Sequence, residues 1–225
     1  MPTTSRPSTP PRATLCLSML AIWAVLALLI PLGACVHVPF LHRGEAELRS
    51  MTEPVLLSPS LPVRAYVALD KREADVYLTD LSDDQLTRFF DDDASWAAFE
   101  GQIVHVRMFI QPRAGRTPIE PTAISATVRY AIMSNGSIGV YAGAGFCLPR
   151  SDPGGNSFAA SLTGADVRLA RATPDFVDLL GPARLSVDFN APNNPELAAT
   201  LRERLDALAR YADPVDARVS APVED

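Results

Sequence analysis

Polar and apolar positions along this chain fall into three rhythms. From Ala13 to Val36 no side chain is charged, and the centre of that run, Leu20 to Ile30, is apolar at every position. Residues 36–61 then carry Pro39, Pro54 and Pro59 among scattered charges and hold no sustained period, which predicts a tether. Within it Glu45 to Met51 has the composition of a short helix, though nothing requires one. From Pro62 onward a period of two dominates. Val63–Leu69, Asp75–Leu78, Gln102–Gln111, Ala123–Met133, Ile138–Phe146, Phe158–Leu162, Val167–Ala170 and Arg184–Phe189 all read as strands. The period lengthens to 3.6 only at the end, where Leu197, Leu201, Leu205 and Leu208 fall on one face of a helix over Pro195–Tyr211.

Local signals punctuate these runs. Ser82-Asp83-Asp84-Gln85 has the capping-box arrangement and starts a short helix near 82–90, with Leu86, Phe89 and Phe90 as its apolar side. Asp91-Asp92-Asp93 would oppose the dipole at its C-terminus, so the helix stops by Phe90. Asn135-Gly136 between two β runs is the strongest short-range hairpin signal in the chain. The strand that follows carries Gly139, Gly143 and Gly145; glycine weakens a strand, so a bulge, a bend or a close backbone is expected there. Pro174–Leu180 reads as a helical turn ended by Gly181, and Asp152–Asn156 as a loop. Asn194 and Pro195 suit the cap and first turn of the last helix, and Ala212–Asp225 reads as a disordered tail. The sum is a mainly β (α+β) fold: an antiparallel sheet or sandwich of seven or eight strands, with a short helix and a C-terminal helix covering one face or edge.

The apolar run of residues 13–34 is long enough to span a bilayer at about 1.5 Å per residue, so its ends must separate an anchor from a cleaved signal. Before it stand Arg6 and Arg12 in a Pro-, Ser- and Thr-rich start; after it come Pro31 and then Leu32-Gly33-Ala34-Cys35. A positive start, an apolar middle and a small-residue end is the order of a signal peptide. Leu32-Gly33-Ala34-Cys35 also resembles the lipobox of bacterial lipoproteins, in which an aliphatic residue and two small ones precede a cysteine. Small side chains let a protease reach the backbone, and a thiol can take a diacylglyceryl group as a thioether. The resemblance covers the first 35 residues only. It implies cleavage between Ala34 and Cys35, lipid on Cys35, palmitate-type acylation of the new amino group, and a periplasm-facing position. Val36, where an aspartate would resemble an inner-membrane retention signal, implies the outer membrane.

The expected organisation is therefore a signal peptide over 1–34, a tether over 35–61, a β-rich domain over 62–211 and a tail over 212–225. Net charge sharpens the choice of partners. The chain carries 20 basic and 26 acidic residues, and loss of Arg6 and Arg12 leaves 18 against 26. That excess of acid disfavours nucleic acid and any polybasic membrane patch, so the membrane is reached through lipid on Cys35.

Groups able to carry chemistry are few. Of His37, His42 and His105, the first two lie in the tether, so His105 with Cys147 is the one conceivable base and thiol nucleophile. Cys147 sits in the apolar stretch Gly145-Phe146-Cys147-Leu148, which favours burial over reactivity. Asn135-Gly136-Ser137-Ile138-Gly139 misses the Gly-x-Ser-x-Gly motif, and the glycines of 139–145 miss the phosphate-loop spacing. Asp80, Asp83, Asp84 and Asp91–Asp93 lack the glycine and terminal glutamate of a helical calcium loop and read as a solvated acidic surface. No catalytic residue, cofactor site or metal site is therefore assigned. The expected role is that of a lipid-anchored envelope protein that binds an envelope protein or polymer, or a structural one. A carrier of lipid or another apolar ligand in a cavity between sheet and helix is an alternative, and a hydrolase built on acidic residues is another.

Overall fold

The computed structural model describes residues 44–88, 99–112 and 123–215. Ten strands and two helices follow one another in these stretches: β1 (Glu45–Ser50), β2 (Leu56–Leu57), β3 (Val63–Ala68), β4 (Ala74–Thr79), α1 (Asp83–Arg88), β5 (Gly101–Met108), β6 (Ala126–Ser134), β7 (Ser137–Pro149), β8 (Ser157–Ala172), β9 (Ala183–Pro192), α2 (Pro195–Tyr211) and β10 (Asp213–Pro214). The strands make one antiparallel sheet in the order β2-β1-β9-β8-β7-β6-β5-β4-β3, with β10 added to β8. Long, twisted neighbours curl this sheet into a half-barrel. Its far strands approach each other at one place, where Tyr66 of β3 bridges Asn193 and accepts a 3.2 Å hydrogen bond from the backbone of Asn194. The Tyr66 hydroxyl donates to the carbonyl of Gly155, fastening β3 to the loop before β8.

Strand alternation sorts side chains into two cores. Val76 and Leu78 of β4, Val104 and Val106 of β5, Val128 and Tyr130 of β6, and Leu185, Val187 and Phe189 of β9 point into the concave side and fill it. Tyr77, Ile103, Ala131, Met133 and Val140 point outward, where α2 covers them with Leu201, Leu205 and Leu208. Those three leucines are at most 1% exposed, and each contributes roughly 1.5–3 kcal/mol by leaving water. The helix starts as its sequence prescribes: the Asn194 side chain accepts from the Leu197 N–H at 3.0 Å, with proline in the first turn. At α1 the reciprocal capping box is formed, with Ser82 N–H on Gln85 Oε1 at 2.9 Å and Gln85 N–H on Ser82 Oγ at 3.3 Å.

The Asn135-Gly136 hairpin is present: β6 and β7 pair from Ser134–Ser137 outward, and both turn residues have positive φ, 50° and 73°. The glycine-rich strand answers to close neighbours. A Cβ on Gly143 would lie 1.9 Å from the backbone oxygen of Asp166 on β8, and one on Gly139 would lie 2.2 Å from the ring of Phe176. Register shifts at Val140/Tyr141 and Ala144/Phe146 are the bulges that accompany this approach.

Four expectations need correction. The tether does not extend to residue 61, and Glu45–Ser50 is a strand rather than a helix. Its residues alternate exposed and buried, Leu48 is fully enclosed, and the strand pairs with β9 along its whole length. Phe158–Leu162 and Val167–Ala170 are one strand, because Gly164 with φ 61° absorbs a bulge between Leu162 and Ala165 without ending the ladder. Residues 174–180 form no helix; the Asp178 carboxylate instead accepts from the N–H groups of Leu180 and Gly181, a side-chain-capped turn. The folded unit also passes residue 211, since Ala212 is buried and Asp213–Pro214 pairs with β8. Cys35, Asp91–Asp93, Phe89 and Phe90, the loop around Gly115 and Pro118, and the end of the tail lie outside the described residues. Among those described, no helix is long and apolar enough to cross a membrane.

Backbone contact at Gly143 gives a direct test of the β7–β8 approach. Gly143→Ala forces a methyl against a carbonyl that cannot swing aside and is expected to cost about 3 kcal/mol in urea unfolding. Gly139→Ala meets only a ring that can shift, and is expected to cost clearly less.

Candidate functional site

Two places in the fold gather groups that could act. The first lies under α2, on the outward face of the sheet. Antiparallel register sets Tyr77 opposite His105 and His105 opposite Arg129, so three consecutive strands place these side chains in a row. The rings of Tyr77 and His105 stack with centroids 4.4 Å apart and planes 8° from parallel. His105 Nε2 donates to Asp75 Oδ1 at 3.0 Å, while its Nδ1 accepts from Arg129 Nε at 3.4 Å. That pair of contacts fixes one tautomer, because an arginine can only donate and the ring must then carry its proton on Nε2. Arg129 continues the chain through Nη1 to Asp206 Oδ1 on α2 at 2.7 Å.

Burial lowers the pKa of His105 against the opposing pull of Asp75, so the ring is neutral at pH 7. Burial alone would raise Asp75, but the hydrogen bond from His105 and the charges of Arg107 and Arg202 outweigh it and leave the carboxyl below its ordinary range. Tyr77 is pushed well up by burial and by Asp75, so its phenol stays protonated. The arrangement is an aspartate, a neutral imidazole and an arginine, with both imidazole nitrogens bonded inside the row. It orients α2 on the sheet through Asp206. That ion pair is about half exposed on the Asp206 side, so its own worth is at most about 1 kcal/mol.

The structure separates the two residues that the sequence offers as a dyad. Cys147 lies in the concave core on β7, whereas His105 lies on the opposite face of the sheet under α2. Burial pushes the Cys147 thiol up to about 12, and its backbone N–H and C=O both bond the Ser125 hydroxyl. Of the acidic stretch, Asp80 is drawn inward: its Oδ1 accepts the Gln102 N–H at 2.6 Å, and burial raises its pKa. No group of three or more metal-binding side chains is found among the described residues.

The second place is a cleft of about 410 Å³ at the end of the half-barrel where the β1–β2 turn, the β6–β7 turn and the 173–182 loop meet. Leu57, Ile132, Phe176 and Leu180 give it apolar walls, and Tyr141 stands among them. Hydrogen bonds hold the loop along its length: Thr173 N–H to the Ile138 carbonyl at 2.9 Å, Tyr141 hydroxyl to Asp178 at 2.6 Å, Ser50 hydroxyl to the Leu180 carbonyl at 2.5 Å, and Met51 N–H to the Pro182 carbonyl at 2.8 Å. Phe176 meets Tyr141 edge-on at 6.4 Å and rests in the side-chain space that Gly139 leaves open. Sequence pattern singles out His105 but neither its partners in the row nor the cleft. The polar row is written across four separate elements, and Phe176 and Leu180 belong to a loop whose capping aspartate was read as part of a helix.

Neutral His105 sets a pH dependence. Its folded-state pKa is depressed, so as pH falls through the ordinary histidine range the unfolded chain takes up a proton that the folded chain refuses. Stability is expected to fall from about pH 6.5 downward, by up to about 1.4 kcal/mol per pH unit. Depressed Asp75 adds a further loss only below its unfolded value near 4. Urea unfolding between pH 5 and 7.5 should show this slope, and His105→Gln should flatten it; an unchanged slope in the variant would place the titration elsewhere.

Comparison with known families, with curated proteins and with solved structures finds no match to this chain, so its reading rests on its own residues and geometry.

Proposed function

We propose that this chain is a lipid-anchored protein of the bacterial envelope that works by binding rather than by catalysis. The observation that carries the reading is the order Arg6 and Arg12, an uncharged run, then Leu32-Gly33-Ala34-Cys35. On this reading the bond before Cys35 is cut, Cys35 carries lipid, and Val36 directs the protein to the outer membrane facing the periplasm. Two or three acyl chains hold firmly where one would not.

The described residues support binding over catalysis in a specific way. The imidazole of His105 uses both nitrogens within the row under α2, and the Cys147 thiol is a poor nucleophile at a pKa of about 12. Asp178 caps a turn, Asp80 holds the β5 backbone and Asp188 pairs with Arg150, so none of these carboxylates favours the hydrolase alternative. The carrier alternative, in its form of a cavity between sheet and helix, is disfavoured by the packed leucines of α2.

Radiolabelled palmitate should enter the wild-type chain and not Cys35→Ala, and the variant should keep residues 1–34 uncut. Absence of label from both, with the uncut chain still bound to membrane, would make residues 13–34 a spanning anchor and end the lipoprotein reading.

A further inference from the structure

We propose that the cleft at the end of the half-barrel binds a single aliphatic chain whose head group is uncharged or cationic. The inference rests on the reading of this unit as a binding module, but not on lipid at Cys35.

Three features of the cleft point to such a ligand. It is already open: the loop that forms one wall is pinned by Tyr141, Ser50 and Met51, and Phe176 is seated against Gly139 rather than across the space. Its volume of about 410 Å³ falls within the usual range for small-molecule sites. The apolar surface also continues outward. Val177 and Leu179, which line the cleft, are 71% and 65% exposed, and Leu56 on the adjoining hairpin is 47% exposed. A loop that keeps its tightest turn capped by Asp178 while presenting two large aliphatic side chains to water gains nothing for the fold from them. They extend the wall of the cleft, so a ligand longer than the cleft is deep still meets apolar surface.

Charge selects the head. Among the described residues, Asp175 is the lone charged side chain in the lining and no lysine or arginine lines the cleft, and the chain as a whole carries a net charge of −6. Ser134, Asn135 and Ser137 at the β6–β7 turn supply hydroxyl and amide groups at the rim. A carboxylate or phosphate head would face Asp175 with no counter-charge. An ammonium would be attracted, and an alcohol or amide could hydrogen-bond to the turn.

The full chain carrying Cys35→Ala, held in a lipid nanodisc, allows a test with an internal control, because residues 1–34 stay in the bilayer and report how much probe has entered it. Diazirine-bearing dodecylamine and diazirine-bearing dodecanoic acid are photolysed with this protein, and the labelled residues are mapped by mass spectrometry. Dodecylamine is expected to label 132–137 and 174–180, with a ratio of cleft label to leader label at least fivefold above that for the acid. Val177→Gln and Leu179→Gln change exposed positions that the fold does not need and remove apolar wall without adding charge; each is expected to cut cleft label at least fivefold and leave leader label unchanged. Label confined to the leader would overturn the site. Equal ratios for amine and acid would overturn the head-group selectivity, and cleft label undiminished by both variants would overturn the assigned wall. None of these outcomes depends on palmitate entering Cys35, so failure of the lipoprotein reading is seen separately.

Discussion

Burial on both faces of the sheet's β3 to β7 part governs this molecule. In β4 all six residues, Ala74 to Thr79, are buried, whereas β1 and β9 alternate buried with exposed or half-buried positions. Held flat, strands β3 to β7 would need a second layer on each side. Here curling removes one of those needs, since the concave face is filled by side chains from opposite parts of the same sheet. The convex face still needs a cover over β3 to β7, and α2 supplies it. The helix is therefore part of the minimum that the strand sequence requires, and the apolar spacing Leu201, Leu205, Leu208 is the complement of Tyr77, Ile103, Ala131 and Val140.

The polar row under α2 follows from the same constraint. Asp75, His105 and Arg129 occupy outward positions on strands whose outward face is covered, so their polar atoms lose water and must find one another. They do so in the one tautomer that lets arginine donate at one nitrogen and aspartate accept at the other. Such an arrangement has the residue types of catalytic machinery without its access, because the groups a substrate would use are already bonded. What it provides is orientation: Asp206 meets Arg129 only when α2 lies along one line across the sheet.

Periodicity made the strands and the last helix legible, and local chemistry made their ends legible. The Asn135-Gly136 turn, the Ser82–Gln85 box and the Asn194 cap are short signals whose partners lie within a few residues, so a linear reading finds them. Glu45–Ser50 was obscured because six residues flanked by prolines are too few to distinguish a strand from a helical turn, and its reason for being a strand is β9, more than 130 residues away. Gly164 looked like a break for a similar reason: a bulge and a chain end use the same residue. In every such case the deciding partner is distant in sequence.

The cleft was the least legible feature, and its origin shows why. Gly139 reads in sequence as a weakness in a strand, yet in the fold it is a socket that takes the ring of Phe176 from a loop 37 residues further on. Phe176 in turn sets where the loop lies, Asp178 closes its turn while bonding Tyr141, and Leu180 hands its carbonyl to Ser50. Val177 and Leu179 alternate with these fixed residues and so face away from the anchoring contacts. Their exposure is a consequence of how firmly their neighbours are held, and an apolar wall maintained by hydrogen bonds behind it does not collapse when it is empty. That separation of duties, polar groups holding the loop and apolar groups facing the cleft, is what makes a preformed apolar site compatible with a stable fold.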